Sequence, residues 1–432
     1  MAIAARPSTL FPSTTPTWKG WQYAAFRVVF IYLLLFLAAQ YDLLFVRTLL
    51  NAIARWFALS VLHATLPDNP LESLTDYLVI WISLGLSIIA AALWGILERP
   101  VLEKSRRITE SLFWPTHTFM RYFLASMLFV YGWQKVFHLQ MPAPTLSDML
   151  VPFGEQRRMQ LAWRFVGSSS LFEVVGGWAE VVPACLLLFR RTSLLGASLA
   201  TVVLSFVVLL NFSFNIHVKI WSSQLFIISM LLVAPYTHNL LSLIANKTVQ
   251  PILFPTPPAQ NWRRWIGWAW RVVAVIYVCW SPLSWNLETK RKYELISAKS
   301  EISGLYEVVS DSRPATTRLD QDRRWRRAAF DDTKIATLLP VFFIQRVNRE
   351  QLSGFYELIS GKRTLTLRLS SLDGTSKVNI PMTYLRETDG FLIISGTESG
   401  QAFTVELKPA SPKATRVREE KFSWVSASWL PK

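Results

Sequence analysis

Five charged residues lie inside or at the edge of apolar runs that are long enough to cross a bilayer: Lys135, Arg164, Glu173, Glu180 and Lys219. An unpaired charge at the centre of a bilayer costs roughly 2.5–3.5 kcal/mol even on the lenient insertion scale. We therefore expect these side chains to face one another inside a helix bundle or to lie at its wet mouth. Such a cluster could bind a polar head group or relay protons.

Two of these residues define an acidic helix face. Glu173 and Glu180 are seven residues apart, which places them on the same side of a helix, two turns from each other. Gly176 and Gly177 lie between them and permit close approach of a neighbouring helix. The acidic face could meet the basic residues named above in a buried polar site. The alternative is a structural ion pair that fixes the register of two helices.

The densest polar segment of this region is NFSFNIHVKIWSS, residues 211–223, which links two apolar runs. It places Asn211, Asn215, His217 and Lys219 near the mouth of the predicted bundle. These groups could bind a quinone carbonyl, a phosphate or a carboxylate. The alternative is a turn whose freed backbone groups are satisfied by side chains, as they must be at membrane depth.

Metal, haem and nucleotide chemistry have little support in the sequence. The five histidines show no paired spacing, and Cys185 and Cys279 are the only cysteines, so neither a metal site nor a haem site is predicted. No Gly-rich phosphate loop or hydrolase signature is present. The net charge of +16 does not predict nucleic-acid binding, because basic residues gather at the ends of apolar runs. Catalytic residues stay unknown.

The elements that must position these residues are membrane helices. The chain is 51% hydrophobic and only 17% charged, whereas soluble proteins have about 25% charged residues. Apolar runs of the required length recur through the first two thirds of the chain. They predict about seven spans, near residues 23–39, 74–96, 119–137, 171–189, 194–212, 220–235 and 265–280.

Residues 43–62 predict a different kind of helix. Arg47, Asn51 and Arg55 are four residues apart and form one polar stripe on an otherwise apolar helix. Such a helix suits the membrane interface or a buried contact with a partner helix. With the interfacial interpretation, the short basic loops after residues 96, 189 and 244 fall on one side together with Lys19. That side is predicted to be cytoplasmic, with the C-terminal part outside, in the periplasm of a Gram-negative cell.

After about residue 290 the chain becomes polar and alternating, which predicts a soluble β domain. Strands are expected near residues 304–310, 325–330, 335–344, 363–370, 377–385, 391–395, 402–408 and 422–427. Turn dipeptides such as Asp373–Gly374, Asp389–Gly390 and Ser399–Gly400 separate several of them. An antiparallel barrel or sandwich follows, and we favour the barrel because closure removes exposed strand edges. The long connection 139–170 predicts a short amphipathic helix over the bundle mouth.

The predicted helix bundle of residues 117–246 resembles the DoxX-like membrane proteins, which have a four-helix membrane core. The motifs that carry this resemblance are RYFLASMLFVYGWQKVF (121–137), PFGE (152–155), LAWRFVGSS (161–169), LFEVVGGWAEVVPACLLLFRRTSLLGA (171–197) and NFSFNIHVKIWSSQLF (211–226). The tail is similar to that of the longer members of this family. Together with the change in composition, the resemblance divides the chain into residues 1–116, a four-helix domain 117–246, a loop and last span 247–289, and a β domain 290–432.

The resemblance also implies a polar core. Its residues would be Tyr131, Lys135, Gln140, Glu155, Trp163, Glu173, Glu180, Arg190, Arg191, Asn211 and Lys219. Two departures from the family pattern matter. Near Ile216, where relatives are expected to have an aspartate, this chain has Asn215 and His217. The loop after the interfacial helix is PDNPLESLTDY rather than a Gly/Ser-rich segment.

Two functions from different classes follow as expectations. The first is an inner-membrane protein whose DoxX-like bundle binds a quinone or another small amphiphile in a redox or respiratory assembly. The second is a non-enzymatic accessory or assembly protein whose β tail docks a partner. A transporter is the third interpretation. The lipid bilayer and a protein partner or a second copy of the chain are the expected partners, and whether the protein is an enzyme stays open.

Overall fold

The computed structural model describes residues 18–66, 72–97, 102–248, 261–296, 300–332, 340–370, 377–398 and 400–410. The chain divides into two compact units. The first unit contains Met1–Arg121 and His217–Ala259, and the second contains Tyr122–Ile216 and Gln260–Lys432. The division falls inside one long helix, Leu102–Val136.

In the described part of the first unit, all regular secondary structure is helical. Its elements are α1 (Gly20–Gln40), a 3₁₀ turn (Leu43–Phe45), α2 (Val46–Ser60), α3 (Leu74–Leu97), the first half of α4 (Leu102–Val136), α9 (Lys219–Val233) and α10 (Thr237–Ile244). Arg27 of α1 is buried, lies 5.3 Å from the Trp94 ring centroid of α3 and donates to Thr109 Oγ1 of α4 at 3.4 Å. Burying this cation between aromatic and hydroxyl groups fastens three helices together.

Among the described residues, seven helical segments are long and apolar enough to cross a membrane, so the chain is a multi-pass membrane protein. They are Gly20–Gln40, Leu43–Ser60, Leu74–Leu97, Ser170–Leu188, Ser193–Ser213, Lys219–Ile244 and Trp265–Glu294. The predicted number of seven spans is confirmed, but one of the predicted segments is replaced by another. Leu43–Ser60 qualifies by composition, whereas the expected span 119–137 is the end of α4 and does not, because charged and polar residues such as Arg121 and Lys135 interrupt it.

The second unit contains the rest of the helices and the β domain. The helices are α5 (Leu146–Leu150), α6 (Arg158–Gly167), α7 (Ser170–Leu188), α8 (Ser193–Ser213) and α11 (Asn261–Ile296). The strands are β1 (Gly304–Asp311), β2 (Trp325–Asp331), β3 (Val341–Arg346), β4 (Gln351–Ile359), β5 (Thr364–Ser370), β6 (Lys377–Arg386), β7 (Leu392–Glu398) and β8 (Gln401–Pro409).

The eight strands form a closed antiparallel barrel in which each strand pairs with the next and β8 returns to β1. This confirms the barrel over the sandwich. The glycines of two predicted turns adopt left-handed backbone, at φ +90° for Gly390 and +83° for Gly400, which few other residues tolerate. The strand β4 was not predicted. The expected strand 422–427, the turn Asp373–Gly374 and residues 335–339 lie outside the described residues.

The barrel interior is filled by side chains. Residues that alternate along the strands, including Phe330, Phe342, Leu367, Ile394 and Leu407, are almost completely buried and form one cluster. An eight-stranded barrel has an interior just wide enough for such packing. The domain is therefore built around a solid core.

The connection between α4 and α7 docks on the outside of the barrel. Asp331 of β2 caps α5, because its carboxylate accepts hydrogen bonds from Leu146 N and Ser147 N at 2.8 Å and from Ser147 Oγ at 2.5 Å. Beneath this cap, Leu150 is buried together with Phe343 and other apolar barrel residues. Capping satisfies the backbone donors at the helix start. One short helix was expected over the bundle mouth; the connection contains two, α5 and α6, and α5 packs on the barrel.

Candidate functional site

A buried ion pair joins α4 to α7. Lys135 Nζ lies 2.9 Å from Glu180 Oε1 and 3.0 Å from Glu180 Oε2. The Glu180 side chain is 4% exposed and that of Lys135 is 13% exposed. The carboxylate is thus enclosed by the bundle while the ammonium group keeps limited access from outside.

Close packing of two glycines positions this pair. A Cβ atom at Gly177 would lie 2.7 Å from the Gly132 carbonyl oxygen, and one at Gly132 would lie 2.7 Å from a methyl group of Val181. Only glycine allows the two backbones to approach this closely. Contacts run from Gly132 against Val181 to His138 against Glu173, so the two helices are antiparallel.

Glu173 lies two turns from Glu180 on the same helix and is 1% exposed. Its two carboxylate oxygens have different partners. His138 Nδ1 lies 2.6 Å from Oε2, and the Met141 backbone N–H donates to Oε1 at 3.0 Å. Glu173 therefore holds the beginning of the connection that continues to the barrel.

His138 occupies the point where the chain leaves α4. Its backbone is left-handed, with φ at +56°, which ends the helix and turns the imidazole toward Glu173. The ring remains 45% exposed. His138 thus forms the accessible end of a ladder whose other three members are Glu173, Lys135 and Glu180.

The ladder presents two unused polar groups. An ammonium group has three donors, and two of those of Lys135 are directed at Glu180. Within the described part of the chain, the third donor and the His138 Nε2 atom make no hydrogen bond. Nε2 donates when the imidazole is protonated and accepts when the proton is on Nδ1. The site can therefore offer an ammonium donor and an imidazole nitrogen that either donates or accepts a hydrogen bond.

Other predicted site residues lie elsewhere in the second unit. Arg164 pairs with Asp148 at 2.9 Å within the connection, not with the acidic face of α7. Glu155 is exposed in a 3₁₀ turn and accepts a hydrogen bond from Gln351 of the barrel. Asn211 is buried near the end of α8, where its carbonyl accepts from Ile216 N at 2.9 Å. Tyr131 is half-buried on α4.

Lys219 belongs to the first unit, where it begins α9. Its Nζ lies 3.7 Å from Glu72 Oε2, and Glu72 Oε1 accepts from the Ile220 backbone N–H at 2.7 Å. A carboxylate is favourable at a helix N-terminus because the first backbone donors there have no partner within the helix. Lys219 is thus placed beside an acid that was not predicted as its partner.

Sequence reasoning missed His138, Glu72 and Asp331 as polar partners. Position alone could have suggested His138, because it follows Lys135 by three residues at the end of the predicted span, and Glu173 lies at the start of the next span. Glu72 and Asp331 are distant in sequence from the groups they bind. No spacing rule links such residues.

A second polar cluster lies among strand ends of the barrel. Arg313 and Arg346 both pair with Glu398, and Arg313 also pairs with Asp311. Nearby, hydrogen bonds from Arg324 lower the pKa of the buried Asp322 carboxyl. Acids and bases alternate in this cluster, which indicates that it stabilises the loops at that end of the barrel.

Metal ligation finds no support in the described ranges, which contain no group of three His, Cys, Asp or Glu residues able to hold an ion. Comparison with protein-family models gives no match, and no solved structure is similar. One relative is uncharacterized protein YwoB of Bacillus subtilis (strain 168), which is 34% identical over 112 residues. The match covers 26% of this chain and 71% of YwoB. By this similarity, the chain belongs to the same protein family as YwoB.

Proposed function

We propose that the ladder of His138, Glu173, Lys135 and Glu180 binds the head group of a small membrane amphiphile, with a quinone as the best fit. The observation that carries this proposal is the pair of unused groups, one on Lys135 and one on His138, in front of two buried carboxylates. Polar groups at the edge of an apolar bundle suit a ligand that is itself mostly apolar.

The hydrogen-bonding capacity of His138 supports a quinone more than a simple lipid. A quinone has carbonyl acceptors, and its reduced form has hydroxyl donors. Lys135 donates to the carbonyl form, and so does protonated His138, whereas neutral His138 accepts from a hydroxyl group. Glu173 lies 2.6 Å from Nδ1 and can share a proton with the ring. The same two residues can therefore accommodate either form of the head group.

The cellular setting is part of the proposal. We place the protein in the inner membrane as a DoxX-like protein, with its N-terminus in the cytoplasm and the barrel outside. The short basic loops support this orientation, and the motifs of residues 121–226 support the DoxX-like assignment. A redox or respiratory assembly is the setting in which such a ligand would be used.

A binding measurement on the full chain tests the function. The purified protein in lipid nanodiscs would be titrated with a short-chain prenylated benzoquinone, and tryptophan quenching would be recorded. We expect saturable binding that weakens at least about ten-fold in His138→Asn, because one hydrogen bond to a charged group is worth roughly 1.5–3 kcal/mol. Asparagine keeps the left-handed backbone accessible.

His238→Asn is the matched control, because His238 is exposed in α10 and takes no part in the ladder. It should bind the quinone as the unaltered chain does. Absence of saturable binding, or equal weakening in both variants, would refute the proposal. The unfolding temperature of each variant would be measured in parallel, so that loss of the fold is not mistaken for loss of the site.

A specific observation favours an accessory role as the second candidate. The barrel interior is filled, and its outer surface already holds the connection through Asp331. A solid barrel has only its surface with which to bind, so a partner protein or a second copy of the chain would be its ligand. Cross-linking from surface sites on the barrel in native membranes should then yield one dominant product, and no product would argue against this role.

A further inference from the structure

The segment between α1 and α3 begins and ends at the same end of the first unit. Near the end of α1, Phe36 packs on Trp221 with ring centroids 5.8 Å apart. Just before α3, Glu72 accepts from Ile220 N at 2.7 Å. Both contacts involve the first turn of α9, so the chain leaves α1 and enters α3 at one level.

These two contacts argue against a crossing of the bilayer by α2. If α2 crossed the bilayer, the chain would have to return between Ser60 and Glu72. The described residues of that return, 61–66, are not helical. Irregular backbone cannot cross hydrocarbon while exposed to lipid, because its polar groups would lack partners. The length of α2 agrees, since its 15 residues measure about 22 Å against a hydrocarbon core of about 30 Å.

Three sides of α2 have different surroundings. Leu50, Ala54 and Ala58 are buried, and α2 packs against α1 and α3. On a helix with 100° per residue, Arg47, Asn51 and Arg55 form a second side, and all three are exposed. A third side, roughly opposite the polar one, carries Leu49, Ile53 and Trp56, which are also exposed.

We propose that α2 lies flat in the membrane interface and that Arg47 and Arg55 bind the phosphates of anionic phospholipids. In the described chain neither arginine has an ion-pair partner, and the two are about 12 Å apart along the helix. Each guanidinium group can bind one phosphate with two parallel hydrogen bonds. Contact with the apolar span α3 keeps α2 at the bilayer, and the Leu49 side enters the acyl region.

A partner protein is the competing occupant, and the apolar side argues against it. The polar and apolar sides run along the whole helix, facing in nearly opposite directions. A protein segment on the arginines would leave Leu49 and Trp56 uncovered, whereas the interface between water and lipid covers both sides at once. This proposal is independent of the head-group site.

Depth measurement along α2 tests the placement. Single nitroxide labels would be introduced at Asn51, Ile53, Arg55 and Trp56 in full-length protein with Cys185→Ser and Cys279→Ser, reconstituted in nanodiscs. For a flat helix, depth depends only on the side that carries the label, so Asn51 and Arg55 report head groups while Ile53 and Trp56 report acyl chains. Depth that changes steadily by about 1.5 Å per residue would indicate a crossing helix and overturn the proposal.

Lipid selectivity tests the ligand. Native mass spectrometry would count the phospholipids retained from mixed phosphatidylglycerol and phosphatidylcholine nanodiscs. We expect Arg47→Gln/Arg55→Gln to lose roughly five-fold in phosphatidylglycerol preference for each arginine. The control Arg323→Gln/Arg326→Gln makes the same charge change on exposed barrel positions and should keep the preference. An equal loss of phosphatidylglycerol preference in both variants would refute a lipid ligand. So would nitroxide labels at Asn51 and Arg55 that are shielded from both water and lipid.

Discussion

At the scale of single residues, charged side chains of the helical part of the second unit are paired with one another. Lys135 is paired with Glu180, Glu173 with His138, and Arg164 with Asp148. Each pair reduces the cost of burying an ion, and the cost of breaking a buried pair exceeds the benefit of forming it. Replacing one partner should therefore be more harmful than replacing both.

This asymmetry can be tested on the pair formed by Lys135 and Glu180. Glu180→Gln leaves the Lys135 ammonium group without its countercharge and should lower the free energy of unfolding by roughly 3–5 kcal/mol. The double variant Lys135→Met/Glu180→Leu should recover most of this loss, because no buried charge remains. Denaturant unfolding in mild detergent would measure both. A double variant as unstable as the single one would mean that the pair stabilises the bundle beyond compensating its own burial.

At the scale of elements, the spacing between two helices determines whether the ladder can form. Gly177 faces Gly132 across the contact of α7 with α4. A Cβ atom added at its neighbour Gly176 would lie 3.9 Å from Lys135 Cδ, which is an ordinary contact distance. Adjacent glycines on one helix thus have different roles. One permits close approach, and the other borders the charged site.

The two glycines provide a matched pair of substitutions. Gly177→Ala would place a methyl group 2.7 Å from the Gly132 carbonyl oxygen, so the helices must separate, at a cost of roughly 1–3 kcal/mol. Gly176→Ala meets no such obstacle and should be neutral or slightly stabilising. Thermal unfolding of the two variants in the same detergent makes the comparison. Similar behaviour of both would show that close approach at Gly177 does not limit the packing.

At the scale of the whole molecule, the orientation of the spans determines which side of the membrane each region faces. Basic loops on one side predict a cytoplasmic location for that side, and the barrel then lies on the other. With α2 in the interface and α4 crossing the bilayer, the same rule predicts that the end of α2 faces the side of the membrane on which the barrel is expected. A crossing α2 would place it elsewhere.

Labelling of single cysteines tests this arrangement. In a Cys185→Ser/Cys279→Ser background, Asn51→Cys on the polar side of α2 and Thr397→Cys on the barrel should react with an impermeant maleimide in intact spheroplasts. Lys247→Cys, in a basic loop, should react only after permeabilisation. All three positions are exposed, so the bilayer alone determines access. Labelling of Lys247→Cys in intact cells would indicate the opposite orientation, and protection of Asn51→Cys alone would favour a crossing α2.

The sequence by itself determined the class of protein and most of its elements. Apolar length fixes the spans, and alternation with turn glycines at Gly390 and Gly400 fixes most strands, because both depend on short-range chemistry. The strand β4 was not predicted, because its apolar and polar residues do not alternate clearly. Glu173 and Glu180 were predicted to share a face for the same local reason, since helical spacing is a property of one element.

Only the tertiary structure decided which charges meet. Lys135, Arg164 and Lys219 were equal candidates for the acidic face of α7, and the structure pairs Lys135 with Glu180, Arg164 with Asp148 and Lys219 with Glu72. Closure of the strands into a barrel and capping of α5 by Asp331 were likewise settled by long-range contacts. The physical reason is that an ion pair depends on where two distant elements pack, and that packing is determined by contacts such as Gly132 against Gly177.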